Sequence, residues 1–126
     1  MKRLRPALAM LLLGLGSGCE KKYEALTAPP PGLIASLDDG AKTIHLSKGV
    51  SIAFECTDDN GDPCGGGASS GDRGTALVFP ANLDSLTELD HLHGPQPRSA
   101  VVVVGIAEGH TDVQAGGGSL SVTVVK

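Results

Sequence analysis

Three groups of residues in this chain are of types that could do chemistry. Cys56 and Cys64 stand on either side of the acidic run Asp58-Asp59-Asn60-Gly61-Asp62-Pro63. Within it Asp58, Asn60 and Asp62 alternate, the oxygen-donor pattern that opens a calcium loop. The likeness stops there: Pro63 takes the place of the required glycine, and no Glu follows at the twelfth position. Asp and Asn also bond their own nearby backbone, so the run predicts a turn. The third group is His91 and His93, two apart. Zinc needs at least one more ligand, which Asp90 or His110 would supply only if folding brought it close. The Gly94-Pro95-Gln96-Pro97 stretch that follows predicts solvated loop histidines.

No pattern for covalent or cofactor chemistry joins these groups. Ser69, Ser70 and Ser85 lie in no Gly-x-Ser-x-Gly and no Ser-x-x-Lys motif. Gly65-Gly66-Gly67 has no following Lys to serve a phosphate. The acidic residues cluster in turns and offer no recognisable catalytic pair. The expectation is therefore a protein without catalysis and without a cofactor.

The first 18 residues have the three parts of an export signal. Lys2, Arg3 and Arg5 are basic, Ala7 to Leu15 is apolar, and Gly16-Ser17-Gly18 is small. The apolar part has nine residues, against roughly 20 for a helix that spans a bilayer. Cys19 follows directly. Leu15-Gly16-Ser17-Gly18-Cys19 resembles the lipobox of bacterial lipoproteins, with Leu15 one step earlier than that pattern has it. The resemblance implies cleavage before Cys19 and acyl chains on it, such as palmitate. Two or three chains hold a protein stably, at about 0.8 kcal/mol per buried methylene. Glu20 rather than Asp after the anchor points to the outer membrane in a Gram-negative host.

Removing the leader changes the charge balance. Seven basic residues then face 14 acidic ones, a formal charge of −7. Such a surface repels phosphates, and no basic stripe or aromatic platform offsets it, so nucleic acid is not an expected partner. The expected partners are the membrane, through the anchor, and a protein or carbohydrate. With Cys19 lipidated, Cys56 and Cys64 remain in an oxidising compartment, where two cysteines most simply pair. There is no Cys-x-x-Cys to suggest redox or metal use instead.

The elements that must position these residues are short. Residues 19–32 hold the anchor and Pro29-Pro30-Pro31, which predict an extended spacer. Residues 33–126 alternate polar and apolar with regular punctuation by Gly, Pro, Asp and Asn. Strands are expected at Leu33–Leu37, Thr43–Leu46, about 50–55, Ala76–Phe79 (stopped by Pro80), Ala100–Ala107, His110–Ala115 and Ser119–Val125. Residues 65–75 read as a loop of small residues. Leu83, Leu86 and Leu89 allow a helical turn, and Val101–Val104 reads as buried on both faces. About seven short strands predict an all-β, antiparallel Greek-key sandwich.

Several segments also resemble bacterial immunoglobulin-like domains of the group 2 type. These are Gly49–Phe54 with the Asp59–Pro63 corner, Gly109–Ala115, and Ser121–Val125. The resemblance implies an immunoglobulin-like module for structure, adhesion or carbohydrate contact at the cell surface. Two other classes compete with it: an exported calcium- or zinc-binding module, and a small envelope hydrolase. A metal-dependent melting temperature would mark the first, and a concave pocket of convergent titratable groups the second. An exposed apolar patch or open edge strand would mark protein binding.

Overall fold

The computed structural model describes residues 20–65, 67–82 and 99–126. These residues form nine strands and no helix. The strands are β1 (Lys22–Ala25), β2 (Ala35–Asp38), β3 (Thr43–Ser47), β4 (Ser51–Thr57), β5 (Ala68–Ser70), β6 (Ala76–Asn82), β7 (Ser99–Gly105), β8 (Gly109–Ala115) and β9 (Gly118–Val125). They pair into a four-stranded sheet, β1-β4-β7-β6, and a five-stranded sheet, β2-β3-β9-β8-β5. The inner faces meet in one apolar core, so the molecule is the expected all-β sandwich.

Period-two patterning builds that core. Ile52, Phe54 and Cys56 of β4 point inward while Ala53 and Glu55 point out. Leu120, Val122 and Val124 of β9 do the same, with Ser119, Ser121 and Thr123 outside. Phe54, Ile44, Leu46, Ile52, Leu120, Val103, Val113 and Val122 are fully buried. Burial of side chains of this kind stabilises by about 1.5–3 kcal/mol each. Tyr23 packs edge-on against Phe54, with ring centroids 5.7 Å apart.

Several expectations need correction. The sheets are not wholly antiparallel: β3 runs parallel to β9, with Ile44 opposite Val122. Alternation has the same period in both kinds of ladder, so the pattern is silent on direction. Residues 20–32 are not all spacer. Lys22–Ala25 pairs with β4, and the three prolines lie in the connection that carries the chain from β1 to β2 in the other sheet. The small residues of 68–70 form a strand because β8 offers a ladder to pair with, Ser69 opposite Gln114. Pro80 does not stop β6. That strand lies at a sheet edge, which tolerates a residue without an N–H. The Val101–Val104 run is buried on one face only: Val101 and Val103 face the core, and Val102 and Val104 are half-buried on the outside. The helical turn expected at Leu83, Leu86 and Leu89 lies outside the described residues.

Candidate functional site

The cysteine pair forms as the sequence suggested. Cys56, the last inward residue of β4, and Cys64 are disulfide-bonded with Cα atoms 5.4 Å apart. The backbone already folds back here, with the Cys64 N–H donating to Cys56 O at 3.0 Å. Both cysteines are buried, so the bond is a strut and not an exposed redox group. Gly116 of the β8–β9 hairpin lies directly over it. A Cβ at that position would come within 2.5 Å of Cys64 Cβ. Gly116 and Gly117 both have positive φ, the requirement of a two-residue hairpin turn of this hand.

Between the cysteines, Asp58 spends its carboxylate on the turn. One oxygen, Oδ1, accepts the Asn60 N–H at 2.9 Å and the Asp62 N–H at 3.0 Å. The Asp58 N–H in turn donates to Asp62 O at 2.9 Å. The Asp58 side chain and the backbone of Asn60 and Asp62 therefore build a corner. Among the described residues, no group of three or more His, Cys, Asp or Glu stands close enough to hold a metal ion. His91 and His93, with Asp90, lie outside the described residues, as does Cys19. His110 sits on the outer face of β8, its Nδ1 3.2 Å from Thr123 Oγ1 and its Nε2 3.1 Å from Ser121 Oγ.

The middle of the outer face of the five-stranded sheet is polar, and Val125 of β9 and exposed Ile34, just before β2, lie at its edge. Register aligns Ser36, His45, Thr123 and His110 in one row across β2, β3, β9 and β8. Next to it run Asp38, Thr43, Ser121 and Asp112. These two rows meet water through polar side chains.

The four-stranded sheet differs. Its outer face carries Phe79, Val102 and Ala53 in one row. Leu26, just beyond β1, donates its N–H to Ala53 O at 2.8 Å and extends that row across all four strands. Leu77 and Val104 stand beside it. Phe79 is 48% exposed and Leu26 38%. The adjoining row is Ala81, Ala100, Glu55 and Glu24, so two carboxylates stand directly opposite each other at the rim. Like charges in that arrangement oppose strand pairing. The sequence carried a signal for this face: Ala76–Phe79 and Val101–Val104 are apolar at consecutive positions, so each strand must be apolar on both sides.

A third cluster fixes the N-terminal strand. Tyr23 is buried, its hydroxyl donating to Ala115 O at 2.9 Å and its N–H to Asp39 Oδ1 at 2.9 Å. Lys42, the one non-glycine residue with positive φ among the described residues, donates from Nζ to Asp39 Oδ1 and to Lys21 O, both at 2.6 Å. Its ammonium lies 5.1 Å from the centre of the Tyr23 ring. The hydrogen bond from Lys42, then that from Tyr23 N–H, holds the Asp39 carboxyl below the usual range. Burial, and then the Asp39 charge, pushes the Tyr23 hydroxyl up. Asp72 plays a similar local part, accepting from Gly74 N–H and Thr75 Oγ1 at 2.9 Å each, with its pKa lowered chiefly by the Thr75 bond.

No protein-family model matches this chain, and no curated protein matches it. Among solved structures it is similar to domains 4 and 5 of the S-layer protein SbsC. That likeness covers 90% of this chain and 81% of the other, with 17% identity and a TM-score of 0.41. It is similar also to domains 5–6 of the same protein over 78% of this chain, with 21% identity and a TM-score of 0.40, and spans 45% of that structure.

Proposed function

We propose that this protein is a lipid-anchored, non-catalytic module of the bacterial cell envelope that binds another protein through the outer face of its four-stranded sheet. The observation that carries the contact is the apolar row Leu26–Ala53–Val102–Phe79, exposed at both ends and widened by Leu77 and Val104. A single-residue apolar exposure needs no explanation, but a row across a whole sheet is the form an interface takes. The partner's chemistry follows from the rim. Glu24 and Glu55 stand opposed and call for a basic group beside an aliphatic or aromatic surface. Anchoring rests on the leader and Cys19 in the sequence.

A photo-crosslinking residue placed at Phe79 in host cells tests the contact. A discrete adduct to another protein is expected, and Val102→Asp or Glu55→Lys should weaken it. A cross-link only within the chain, or adducts from His110 but not from Phe79, would overturn the assignment. Anchoring is tested separately: Cys19→Ser should abolish labelling by an alkyne-bearing palmitate and move the protein out of the membrane fraction.

A further inference from the structure

We infer that the domain is seated directly on the lipid head groups by the end of the sandwich that holds Lys22, the Asp58–Asp62 corner and the Gly116-Gly117 hairpin, with no spacer beneath it. The inference rests on lipidation of Cys19. It goes further because an anchored domain with a long spacer would be equally consistent with that reading.

The starting point is the place of β1, only three residues after Cys19. Lys22 already pairs with Thr57, and Tyr23 with Cys56. Even Lys21 is tied, through the bond from Lys42 Nζ to its carbonyl. Its side chain reaches to 4.0 Å from the Cβ position of Gly117. Only three chain steps separate Cys19 from Lys22, and an extended chain covers at most ~3.3–3.6 Å per residue. The acylated residue is thus within about 10 Å of the folded strand. That is comparable to the head-group layer of one leaflet, about 5–8 Å deep. Had residues 20–32 formed the spacer expected of the prolines, thirteen residues at ~3.1 Å each would have allowed roughly 40 Å.

The same geometry says which surface faces the lipid. The β1–β4 register puts Lys22 beside Thr57, so the turn after β4 lies at the anchored end. Gly116 over the disulfide and Gly118 against Tyr23 put the β8–β9 hairpin there too. The opposite end holds Gly49, whose N–H donates to Gly105 O, and the β7–β8 turn with Glu108. Six residue steps of β4 separate the ends, about 20 Å. This end carries Lys21, Lys22 and Lys42 against Asp39, Asp58, Asp59 and Asp62, a near-balanced set that gives no net attraction to anionic lipid, so the covalent link and not charge holds it down.

The chain contains no Trp, so a single introduced one reports its own surroundings. Asn60 and Glu108 are both exposed, and neither side chain hydrogen-bonds another of the described residues. The full lipidated protein carrying Asn60→Trp or Glu108→Trp is reconstituted into phosphatidylethanolamine–phosphatidylglycerol vesicles whose head groups bear a nitroxide quencher. Several-fold stronger quenching is expected for Asn60→Trp than for Glu108→Trp, and Asp59→Trp serves as a second probe of the corner. A flexible Gly/Ser insert of about 20 residues between Glu20 and Lys21, with a reach of roughly 25 Å, should largely remove the difference. Equal quenching at the two ends of vesicle-bound protein would overturn the seating and leave the anchor standing. Failure to float with the vesicles would overturn both.

Discussion

The Tyr23 hydroxyl and the Ala115 carbonyl lie 92 residues apart in sequence and 2.9 Å apart in the fold. This bond joins β1, an edge strand of one sheet, to β8 of the other and closes the sandwich at the end that holds Lys22. Gly118 makes the approach possible, because a Cβ there would overlap the tyrosine oxygen.

Tyr23→Phe should therefore lower stability by about 0.5–1.5 kcal/mol, the net worth of one buried hydrogen bond. Gly118→Ala should cost more in the wild-type background than in Tyr23→Phe, since the overlap is with the hydroxyl itself. Urea denaturation of the four proteins of that cycle measures the coupling. Additive effects would show that the two residues do not meet.

Gly116→Ala should be among the most damaging single changes in the hairpin, at about 2 kcal/mol or more. The new methyl would sit in a left-handed backbone, at φ +63°, and would press on Cys64 Cβ and Cys56 Sγ. At Gly117 the φ is +83° but the nearest atom is 4.0 Å away. Gly117→Ala should thus lose only the conformational part, about 1 kcal/mol. Denaturant midpoints of the two variants should differ in that order.

Removing the disulfide with Cys56→Ala and Cys64→Ala together should cost about 2–3 kcal/mol, the loop-closure value for nine residues. The Asp58 carboxylate bonds and the Cys64 N–H to Cys56 O bond already pin this corner. Its shape should accordingly survive, and the double variant should remain folded at a lower melting temperature.

Acid should expose the work of Asp39. Its folded pKa lies below the ordinary value near 3.9, so its contribution is present above that value and disappears as pH falls through the lower, folded one. Asp39→Asn should lower the melting temperature at neutral pH and flatten the acid limb. Because the carboxylate is 41% exposed and Lys42 shares it, the change should be a fraction of 1 kcal/mol. Tyr23 works in the other direction: its raised pKa gives stability that is full below about pH 10 and fades above it, a limb that Tyr23→Phe should lack.

The strands with one wet face were legible in the sequence, since Ile52-Phe54 and Leu120-Val122-Val124 repeat every second residue against polar neighbours. Tyr23 was not, because a lone aromatic among Lys, Glu and Ala has no period. Only its partners Ala115 and Asp39, far along the chain, make it a core residue. The apolar outer face was misread as double burial, because a β-branched run looks the same whether the second face meets protein or water. The corner at Asp58 was legible for a local reason: its carboxylate bonds lie within four residues.

The parallel pairing of β3 with β9 has a consequence for the order of events in the cell. Ile44 waits for Val122, 78 residues later, before its strand has both neighbours. Until the last strand arrives, the larger sheet lacks its middle, and contacts this distant form slowly. A chain emerging N-terminus first would stay pliable until β9 had emerged, and would set into shape only then.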